Sequence, residues 1–339
     1  MAEKILKAGF IGYGGIAGTH QRGYTKMKQE GGPVLVEAYC DIRPEQLAKA
    51  EGRTYTDIDE FLRCEADRLD YVDICLPTYL HAETAIKAMK LGLNVLSEKP
   101  MALNYELASS MCRTADQTGR KLMIAHCNRF MNAKKITKSY IDSGELGKVR
   151  SADFFREGGR RTPFGYNGWF HQKELSGGGM LDTHVHDVDV ILWMFGMPNA
   201  VSALARNELP TSGYDSMSVN YRYDSGIFVH AGCDWTTEAN KYNSRGHRIN
   251  LEGGYIFYDG TAGRQVLTVV KNDGTVTDLT DRIACDSYEA EIRYFAECLL
   301  ENKPVDACPP EQSAQAIAVI MAEMQSADRG GEFVPPCVN

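Results

Sequence analysis

Long apolar runs are absent from this sequence of 339 residues. No window holds the ~18 apolar residues that a membrane-spanning helix needs. The first four residues, Met-Ala-Glu-Lys, lead directly into a short apolar stretch and not into a signal region. We therefore expect a cytoplasmic protein with no membrane partner.

Positive charge is also scarce. Lysine and arginine together number 37 against 45 aspartates and glutamates, so the formal net charge is −8. Such a balance repels phosphate backbones, and no basic patch with interleaved aromatic residues interrupts it. We expect no nucleic-acid partner and predict small molecules as ligands.

Closely paired cysteines are missing as well, although the chain has ten cysteines. None forms a Cys-x-x-Cys pair, and Cys75 and Cys298 lie in apolar stretches that predict strand and helix interiors. A free thiol in such surroundings behaves as a small hydrophobic group. Repeats and low-complexity tracts are absent too, which favours an ordinary globular protein.

The length of the chain exceeds what one hydrophobic core usually serves and predicts two domains. In the first 125 residues short apolar runs alternate with helical patterns, which is typical of a parallel, doubly wound α/β sheet. Helix signals include Pro44 at a first turn, Asp57 as an N-cap, and residues 82–91 ended by Gly92. The predicted strands are residues 5–11, 34–40, 71–76, 94–97 and 121–125.

From about Val149 the pattern changes to longer two-residue alternations, which are typical of antiparallel strands with one buried face. The clearest are residues 216–223, 226–231 and 255–258, and helices are predicted around 181–195, 288–301 and 311–327. The second part is therefore expected to be an α+β domain with a mainly antiparallel sheet and packed helices.

A glycine-rich segment follows the first strand, with the sequence Phe-Ile-Gly-Tyr-Gly-Gly-Ile-Ala-Gly at residues 10–18. Gly12 permits a tight turn, Gly14 lets the backbone approach a pyrophosphate, and Ala17 lets the following helix pack close to the strand. Gly15 and Ile16 complete the loop at the predicted helix N-terminus. Such a segment is otherwise only a turn, so the assignment depends on its context.

Asp41 supplies part of that context, because it ends the second predicted strand, where a carboxylate can accept both ribose hydroxyls of a dinucleotide. Its distance from the loop exceeds the ~20 residues that are usual, and an insertion at residues 30–33 accounts for the excess. A carboxylate here repels a 2′-phosphate, whereas Arg43 could accommodate one. We predict NAD in preference to NADP; the alternative is that Asp41 caps a helix before Pro44.

Lys99 lies at the carboxyl end of a predicted parallel strand, where open α/β sheets place their ligands. Glu98 can hold it and Pro100 fixes the turn. An ammonium group there can donate a hydrogen bond to a substrate oxygen and stabilise alkoxide charge. The alternative is a solvated surface lysine.

Asp182 and His186 are four residues apart, hence on one face if their segment is helical. The carboxylate can then orient the imidazole, which makes His186 a general base near neutral pH. One alternative is a buried histidine with a structural role. Another is a zinc site that includes His184, but on a helix His184 and His186 point to different sides. We predict no metal.

Several spaced motifs resemble the Gfo/Idh/MocA oxidoreductase family over nearly the whole chain. They are the glycine loop, Leu76-Pro77-Thr78-x-x-His81, Glu98-Lys99-Pro100, the run from Gly177 to Asp189, residues 142–147 and the helix at 311–327. The resemblance implies a Rossmann domain joined to an open antiparallel sheet. It also implies a sugar, polyol or glycoside as substrate and a homodimer or homotetramer. The predicted domains are residues 1–125 for the dinucleotide and 126–339 for the substrate, with closing helices able to pack back on the first.

The resemblance also assigns roles by position. Lys99 matches the family's catalytic lysine, and Asp182 and His186 match the aspartate and histidine of its inositol-type dehydrogenases. Arg129 and Trp169 match residues on the substrate side. Pro77, Thr78, His81 and Glu98 fall in motifs expected to line the cofactor.

The sequence departs from the family at Thr183 and His184, where many members have an apolar residue and glycine, so Thr183 is expected to enter or brace the substrate site. His126 and the basic loop at residues 158–161 are further candidates for shaping the pocket.

The predicted reaction is hydride transfer between a secondary carbinol carbon and nicotinamide C4. His186 would accept the hydroxyl proton, Lys99 would stabilise the alkoxide, and Asp182 would orient His186. Two alternatives remain: a redox-neutral glycosidase that keeps its NAD, and a regulator that binds a dinucleotide without catalysis. The presence of all three side chains argues against the regulator.

Overall fold

The computed structural model describes residues 4–159, 164–238 and 243–338. Their contacts divide the chain into two compact units. Unit 1 holds the described residues of Met1–Phe130 and Asp286–Ala314, and unit 2 holds those of Met131–Cys285 and Gln315–Asn339.

Helices and strands are numbered along the described chain. The helices are α1 Gly15–Gln29, α2 Pro44–Leu47, α3 Ile58–Glu65, α4 His81–Lys90, α5 Tyr105–Thr118, α6 Asn132–Ser143, α7 Lys173–Ser176, α8 Gly178–Asp182, α9 Val185–Phe195, α10 Ser287–Leu300 and α11 Pro310–Asp328. The strands are β1 Leu6–Ile11, β2 Val34–Cys40, β3 Arg53–Tyr55, β4 Tyr71–Ile74, β5 Asn94–Glu98, β6 Leu122–Ala125, β7 Val149–Gly159, β8 Ala200–Arg206, β9 Ser216–Arg222, β10 Phe228–Glu238, β11 Ser244–Leu251, β12 Gly254–Asp259, β13 Val266–Lys271 and β14 Val276–Asp278.

Unit 1 is built on a six-stranded parallel sheet in the order β3-β2-β1-β4-β5-β6. Strand β4 and the edge strand β6 are buried along their whole length, because helices cover both faces of a parallel sheet. The predicted doubly wound sheet is confirmed. Strand order reverses between β1 and β4, and sheets of this type bind ligands outside the carboxyl ends of the strands at such a point.

Local signals in the sequence explain where several helices of unit 1 begin and end. Pro44 opens α2, the Asp57 side chain accepts a hydrogen bond from the Glu60 amide at the start of α3, and Gly92, with φ +93°, follows the end of α4. The three-residue edge strand β3 was not predicted, since Arg53–Tyr55 is too short and too polar to produce a strand pattern.

Helix α10 completes the core of unit 1, although it comes from the far end of the sequence. Ile292 and Phe295 on this helix are fully buried in one apolar cluster with Leu6 and Phe10 of β1. The Phe295 ring meets the Tyr71 ring edge to face at 5.4 Å. The sheet of unit 1 is therefore covered on this face by a segment that follows the first and longer part of unit 2, Met131–Cys285, in the sequence.

Unit 2 carries an eight-stranded sheet in the order β14-β13-β12-β11-β7-β10-β9-β8. Its pairs are antiparallel except β7 with β10, which run parallel. Alternate residues of β9 and β12 are buried, in agreement with the two-residue periodicity of the sequence. The predicted mainly antiparallel sheet is confirmed, with one parallel pair at its centre.

The single helix predicted around residues 181–195 is interrupted. The carbonyl of Gly179 accepts hydrogen bonds from the amides of both Thr183 and His184, at 3.0 and 3.1 Å, so the ladder shifts by one residue between α8 and α9. Asp182 therefore ends one helix and His186 is the second residue of the next. The exact four-residue stacking that the sequence suggested does not apply across this shift.

Across the described parts of the chain, no helix has the length and hydropathy that would suit a membrane crossing.

Candidate functional site

The glycine loop lies between β1 and α1, at the carboxyl edge of the sheet. Gly12 has φ +88°, and a Cβ atom there would lie 2.5 Å from the Cys75 carbonyl oxygen, so only glycine fits. Space around Gly15 is open for 4 Å, and α1 begins there with the amides of its first turn unpaired within the helix. Ala17 is fully buried against the sheet. The loop thus has the conformation and the donors that a dinucleotide pyrophosphate requires.

Asp41 follows β2 and is tied to the same loop. One carboxylate oxygen accepts the Tyr13 amide at 2.9 Å, and the Arg43 guanidinium pairs with both oxygens at 2.9 Å. Burial alone would raise the pKa of Asp41, but the hydrogen bonds from Arg43 and Tyr13 lower it, so the carboxylate is ionised at neutral pH. The N-cap of α2 is Arg43, so Asp41 does not cap that helix.

Pro77, Thr78 and His81 form the turn that leads from β4 into α4. Thr78 is buried, and among the described residues its hydroxyl has no hydrogen-bond partner. The ring nitrogens of His81 lie 2.8 Å from the carbonyl oxygens of Leu76 and Pro100, which links this turn to the segment after β5. Burial lowers the pKa of His81 despite these two acceptors.

Glu98 and Lys99 stand at the carboxyl end of β5. Glu98 is buried, its Oε2 accepts the Lys99 amide at 3.0 Å, and its Oε1 lies 3.0 Å from Nε2 of His20 on α1. The Lys99 side chain is half-buried, and its bond to Pro100 is cis. A lysine emerges here from a strand end on the same edge as the glycine loop.

His126 and Arg129 follow β6 and are both buried. The Arg129 guanidinium donates to the Ala307 carbonyl at 3.2 Å and to the Gln312 side chain at 2.7 Å, within unit 1. These contacts connect the end of the sheet to the segment that enters α11. They give Arg129 a structural role, and its match to a substrate residue stays a prediction.

In unit 2, Trp169 belongs to a short 3-10 turn over Tyr166–His171 rich in aromatic residues. Its half-buried indole stacks on the Phe170 ring at 3.9 Å, and Phe170 stacks on Phe164 at 4.1 Å. Arg160 and Arg161 of the preceding basic loop lie outside the described residues.

Asp182, Thr183 and His186 lie together at the junction of α8 and α9. Asp182 is buried, Thr183 and His186 are half-buried, and the Thr183 hydroxyl donates to the Asp182 carboxylate at 3.4 Å. Neighbouring polar residues face inward: His184 meets the Tyr221 hydroxyl at 3.1 Å, and Arg156 binds Asp187 through two hydrogen bonds. His184 is thereby committed to the interior, so a zinc site based on it has no support in this geometry.

Hydrogen bonds thus connect four of the predicted features within unit 1: the glycine loop, Asp41, the His81 turn and the Glu98 segment. Trp169, Asp182, Thr183 and His186 belong to unit 2. The sequence reasoning missed three buried residues, His20, Asp73 and Glu291. A signal existed for Asp73, since it is a charged residue inside an otherwise apolar strand.

Two protein-family models match the chain. The model described as the oxidoreductase family with an NAD-binding Rossmann fold matches residues 6–126, and the GFO/IDH/MocA C-terminal domain matches residues 135–257. Together they span most of the sheet of each unit.

Individual relatives are consistent with the two family models. Identity is 28% over 77% of this chain to scyllo-inositol 2-dehydrogenase (NAD(+)) of Bacillus subtilis, covering 76% of that protein. Sequence identity to 2,7-anhydro-N-acetylneuraminate hydratase of Mediterraneibacter gnavus is 30% over 73% of this chain, and the match covers 60% of that protein's length. Among solved structures, levoglucosan dehydrogenase in complex with NADH and L-sorbose has a TM-score of 0.89 at 20% identity, over 98% of this chain and 99% of that one.

The glycine loop with its paired Asp41, the strand order and the two matched models are mutually consistent. The chain belongs to the Gfo/Idh/MocA oxidoreductase family, and its N-terminal part is an NAD-binding Rossmann domain.

Proposed function

We propose that this protein transfers a hydride between a secondary hydroxyl or keto group of a sugar, inositol-like polyol or glycoside and NAD. The observation that carries the proposal is the position of Lys99, which leaves the carboxyl end of β5 on the edge of the sheet that bears the glycine loop. The names of relatives with this architecture, an inositol dehydrogenase and levoglucosan dehydrogenase, support a polyhydroxylated substrate.

The residues that would hold NAD are those of unit 1. First-turn amides of α1 would bind the pyrophosphate, Asp41 the ribose hydroxyls, and the turn of Pro77 and Thr78 the nicotinamide half. His81 would position that turn by its two carbonyl contacts. When bound, NAD supplies the hydride acceptor.

The chain's own groups would manage the proton and the charge on oxygen. His186 accepts the hydroxyl proton, Lys99 donates a hydrogen bond to the oxygen as negative charge develops, and Asp182 holds the imidazole in the orientation for proton transfer. In the reverse direction the same groups return the proton. Trp169, Thr183, His126 and Arg129 are the proposed determinants of substrate fit, and a homodimer or homotetramer is the proposed assembly.

The test is a panel of inositols, free sugars and glycosides incubated with the protein and NAD. NADH formation is followed at 340 nm, and sugar release is followed in the same wells. Growth of NADH with one polyol or sugar would establish the dehydrogenase and name its substrate class. No NADH with any of them, in protein shown to bind NAD, would contradict the proposal.

A second candidate has one observation in its favour, the match to an anhydroneuraminate hydratase. In a redox-neutral cycle of this kind, oxidation of a sugar hydroxyl to a ketone would acidify the neighbouring C–H, and loss of that proton would expel the group on the next carbon. Water would then add to the resulting double bond and the ketone would be reduced again, so NAD would not be consumed. Product release without net NADH in the panel would identify it.

A further inference from the structure

A group of buried ionisable residues lies beneath the Lys99 segment of unit 1. His20 comes from α1, Asp73 from β4, Glu98 from β5 and Glu291 from α10, and none is more than 4% exposed. Because the cluster draws on two neighbouring strands and on two helices that pack against each other, it joins the sheet to the helices of one face at the edge where Lys99 emerges.

Each ring nitrogen of His20 faces a carboxylate oxygen. Its Nδ1 lies 2.8 Å from an Asp73 carboxylate oxygen and its Nε2 lies 3.0 Å from a Glu98 carboxylate oxygen. An ionised carboxylate has no proton to donate, so a ring bonded to two ionised carboxylates carries a proton on both nitrogens and is an imidazolium. A buried charge of this kind is stable only when it is paired on both sides.

The second carboxylate oxygen of Glu98 binds the main chain of Lys99. Its Oε1 faces His20, and its Oε2 accepts the Lys99 amide at 3.0 Å. The Glu98 carboxylate thus binds both the His20 ring and the main chain of Lys99, so the position of the ring helps to determine that of Lys99. Asp73 is anchored independently, because the Tyr24 hydroxyl donates to it at 3.0 Å.

We propose that His20 is a positioning residue of the reaction: as an imidazolium it joins Asp73 to Glu98 across the ends of β4 and β5, and through Glu98 it fixes Lys99. The proposal rests on the proposed function, since it assigns His20 to the support of the lysine that acts on the substrate oxygen. Nothing in the glycine loop or in the lysine motif requires a histidine at this position.

The electrostatics of the surrounding groups agree with this arrangement. Burial alone would lower the pKa of His20, but Asp73 and, after it, Cys75 together raise that pKa well above its usual range. Burial would likewise raise the pKa of Glu98, and His20 instead lowers it. Glu291, 4.0 Å from the ring, has its pKa raised well above the usual value by burial and stays neutral. Burial also raises the pKa of Cys75, and the neighbouring Cys127 raises that of Tyr288, so neither adds charge.

The first experiment compares His20→Gln with wild type on the substrate that the panel identifies. Glutamine can form a hydrogen bond to Asp73 or to Glu98 but carries no positive charge. The buried Glu98 carboxylate would then lack its cationic partner, so the pKa of Glu98 would rise. We expect kcat to fall about 10- to 100-fold, since small displacements of a reacting group have effects of that size. The plot of kcat against pH should also show a new fall on the acid side, where Glu98 becomes protonated in the variant and not in wild type.

Tyr24→Phe is the matched control. It removes one donor to Asp73 and leaves the contact between His20 and Glu98 intact, so stability should fall slightly with no new fall of kcat on the acid side. An unchanged kcat and pH profile in His20→Gln, or the same new acid-side fall in Tyr24→Phe, would overturn the proposal.

Glu98→Gln keeps the proposal testable if His20→Gln does not fold. An amide replaces one of the two carboxylate oxygens by an NH2 group, which cannot accept a hydrogen bond. It therefore cannot accept from both an imidazolium and the Lys99 amide in the way Glu98 does, so hydrogen exchange at the Lys99 amide should accelerate and kcat should fall. Exchange and kcat equal to wild type would count against the proposal.

A measurement on the wild-type protein needs no substrate. Nitrogen-15 spectra should show both ring nitrogens of His20 protonated at pH 8, and a neutral tautomer would refute the inference. If no sugar is turned over while the imidazolium and the protected Lys99 amide are observed, the proposed function has failed and the structural link has not.

Discussion

At the scale of single residues, Asp41 is held from two directions. The Tyr13 amide reaches it from the glycine loop, and the Arg43 guanidinium covers both of its oxygens. Arg43 is therefore neutralised by Asp41 in this conformation. The carboxylate that we propose for the ribose hydroxyls thus also restrains a guanidinium that could otherwise meet a 2′-phosphate at this position.

Replacing Asp41 by serine should relax the preference for NAD over NADP. The carboxylate proposed for the ribose would be lost and Arg43 would be released toward a phosphate. The ratio of the two Kd values should therefore shift by about 10- to 100-fold, given roughly 1.5–3 kcal/mol for a hydrogen bond to a charged group. Calorimetric titration with both dinucleotides measures it. Adding Arg43→Leu should remove the gain for NADP, and an unaltered ratio in Asp41→Ser would mean that Asp41 does not select the cofactor.

Lys99→Met should lower turnover by roughly 10²- to 10³-fold, as expected for the loss of one donor that acts on developing negative charge. NAD affinity should stay close to wild type, because this side chain is assigned to the substrate oxygen. Lys121→Met is the control: it is another half-buried lysine, but it stands before β6 at the opposite edge of the sheet. Equal turnover in both variants would remove Lys99 from the mechanism.

The residues at strand ends were predictable, since an apolar run followed by Asp41 or Lys99 is visible in the sequence. His20 and Glu291 were not, because each looks like one polar residue within an amphipathic helix. Their proximity depends on how α1 and α10 pack on the sheet. A histidine bonded to two carboxylates from different strands leaves no local pattern.

At the scale of elements, the sequence predicted most strands of both sheets from their apolar periodicity. It failed at the junction of α8 and α9, where the apolar pattern continues unchanged although the Gly179 carbonyl accepts two amides and shifts the helical ladder. That shift sets the directions of Asp182 and His186. Backbone hydrogen bonding of this kind is decided by packing, not by the residues' own preferences.

Helix α6 carries an unusual contact with the sheet of unit 2. Lys134, fully buried, lies 2.8 Å from Nδ1 of His247 on β11, whose other ring nitrogen lies 2.9 Å from the Thr137 hydroxyl. Burial lowers the pKa of Lys134 to about 7, and the nearby Asp187 only partly opposes this.

This lysine should make stability depend on pH. Its pKa is about 7 in the folded protein against 10.5 in the unfolded chain. Between these two pKa values the unfolded state binds more protons than the folded state, so the free energy of unfolding rises with pH across that interval. Below the lower pKa the lysine is charged in both states, and the folded protein bears the full cost of burying that charge. The free energy of unfolding of Lys134→Met should exceed that of wild type by the largest amount below pH 7, and by progressively less above it.

Urea unfolding at a series of pH values measures the difference. Lys138→Met serves as the control, since this lysine, one turn along α6, is paired with Asp142 near the surface. A gain for Lys134→Met that is the same at pH 6 and pH 10 would show that Lys134 stays charged throughout.

At the scale of the whole molecule, unit 1 is assembled from both ends of the chain. Apolar residues of β1 and of α10 share one core, and the amphipathic pattern of α10 gives no indication of which sheet it covers. The sequence allowed the closing helices to pack back on the first domain, but the pattern of α10 alone does not select between the two sheets.

Phe295→Ala should destabilise unit 1 by about 3–5 kcal/mol, the usual cost of removing a fully buried phenylalanine. Its unfolding transition can be recognised because added NAD shifts it. Phe228→Ala is the matched control in unit 2: this ring is 77% exposed. Its loss should change stability by no more than about 0.5 kcal/mol. A similar effect of the two substitutions would show that α10 is not part of the core of unit 1.

The late arrival of α10 bears on how the protein is made. The sheet of unit 1 is complete in sequence when β6 has been synthesised, yet Ile292 and Phe295 follow only after nearly all of unit 2. At ~5–20 residues per second the ribosome needs on the order of 10 s or more to add them. During that interval the nascent dinucleotide-binding sheet exposes one apolar face, so this stage of translation is where chaperones would be needed most.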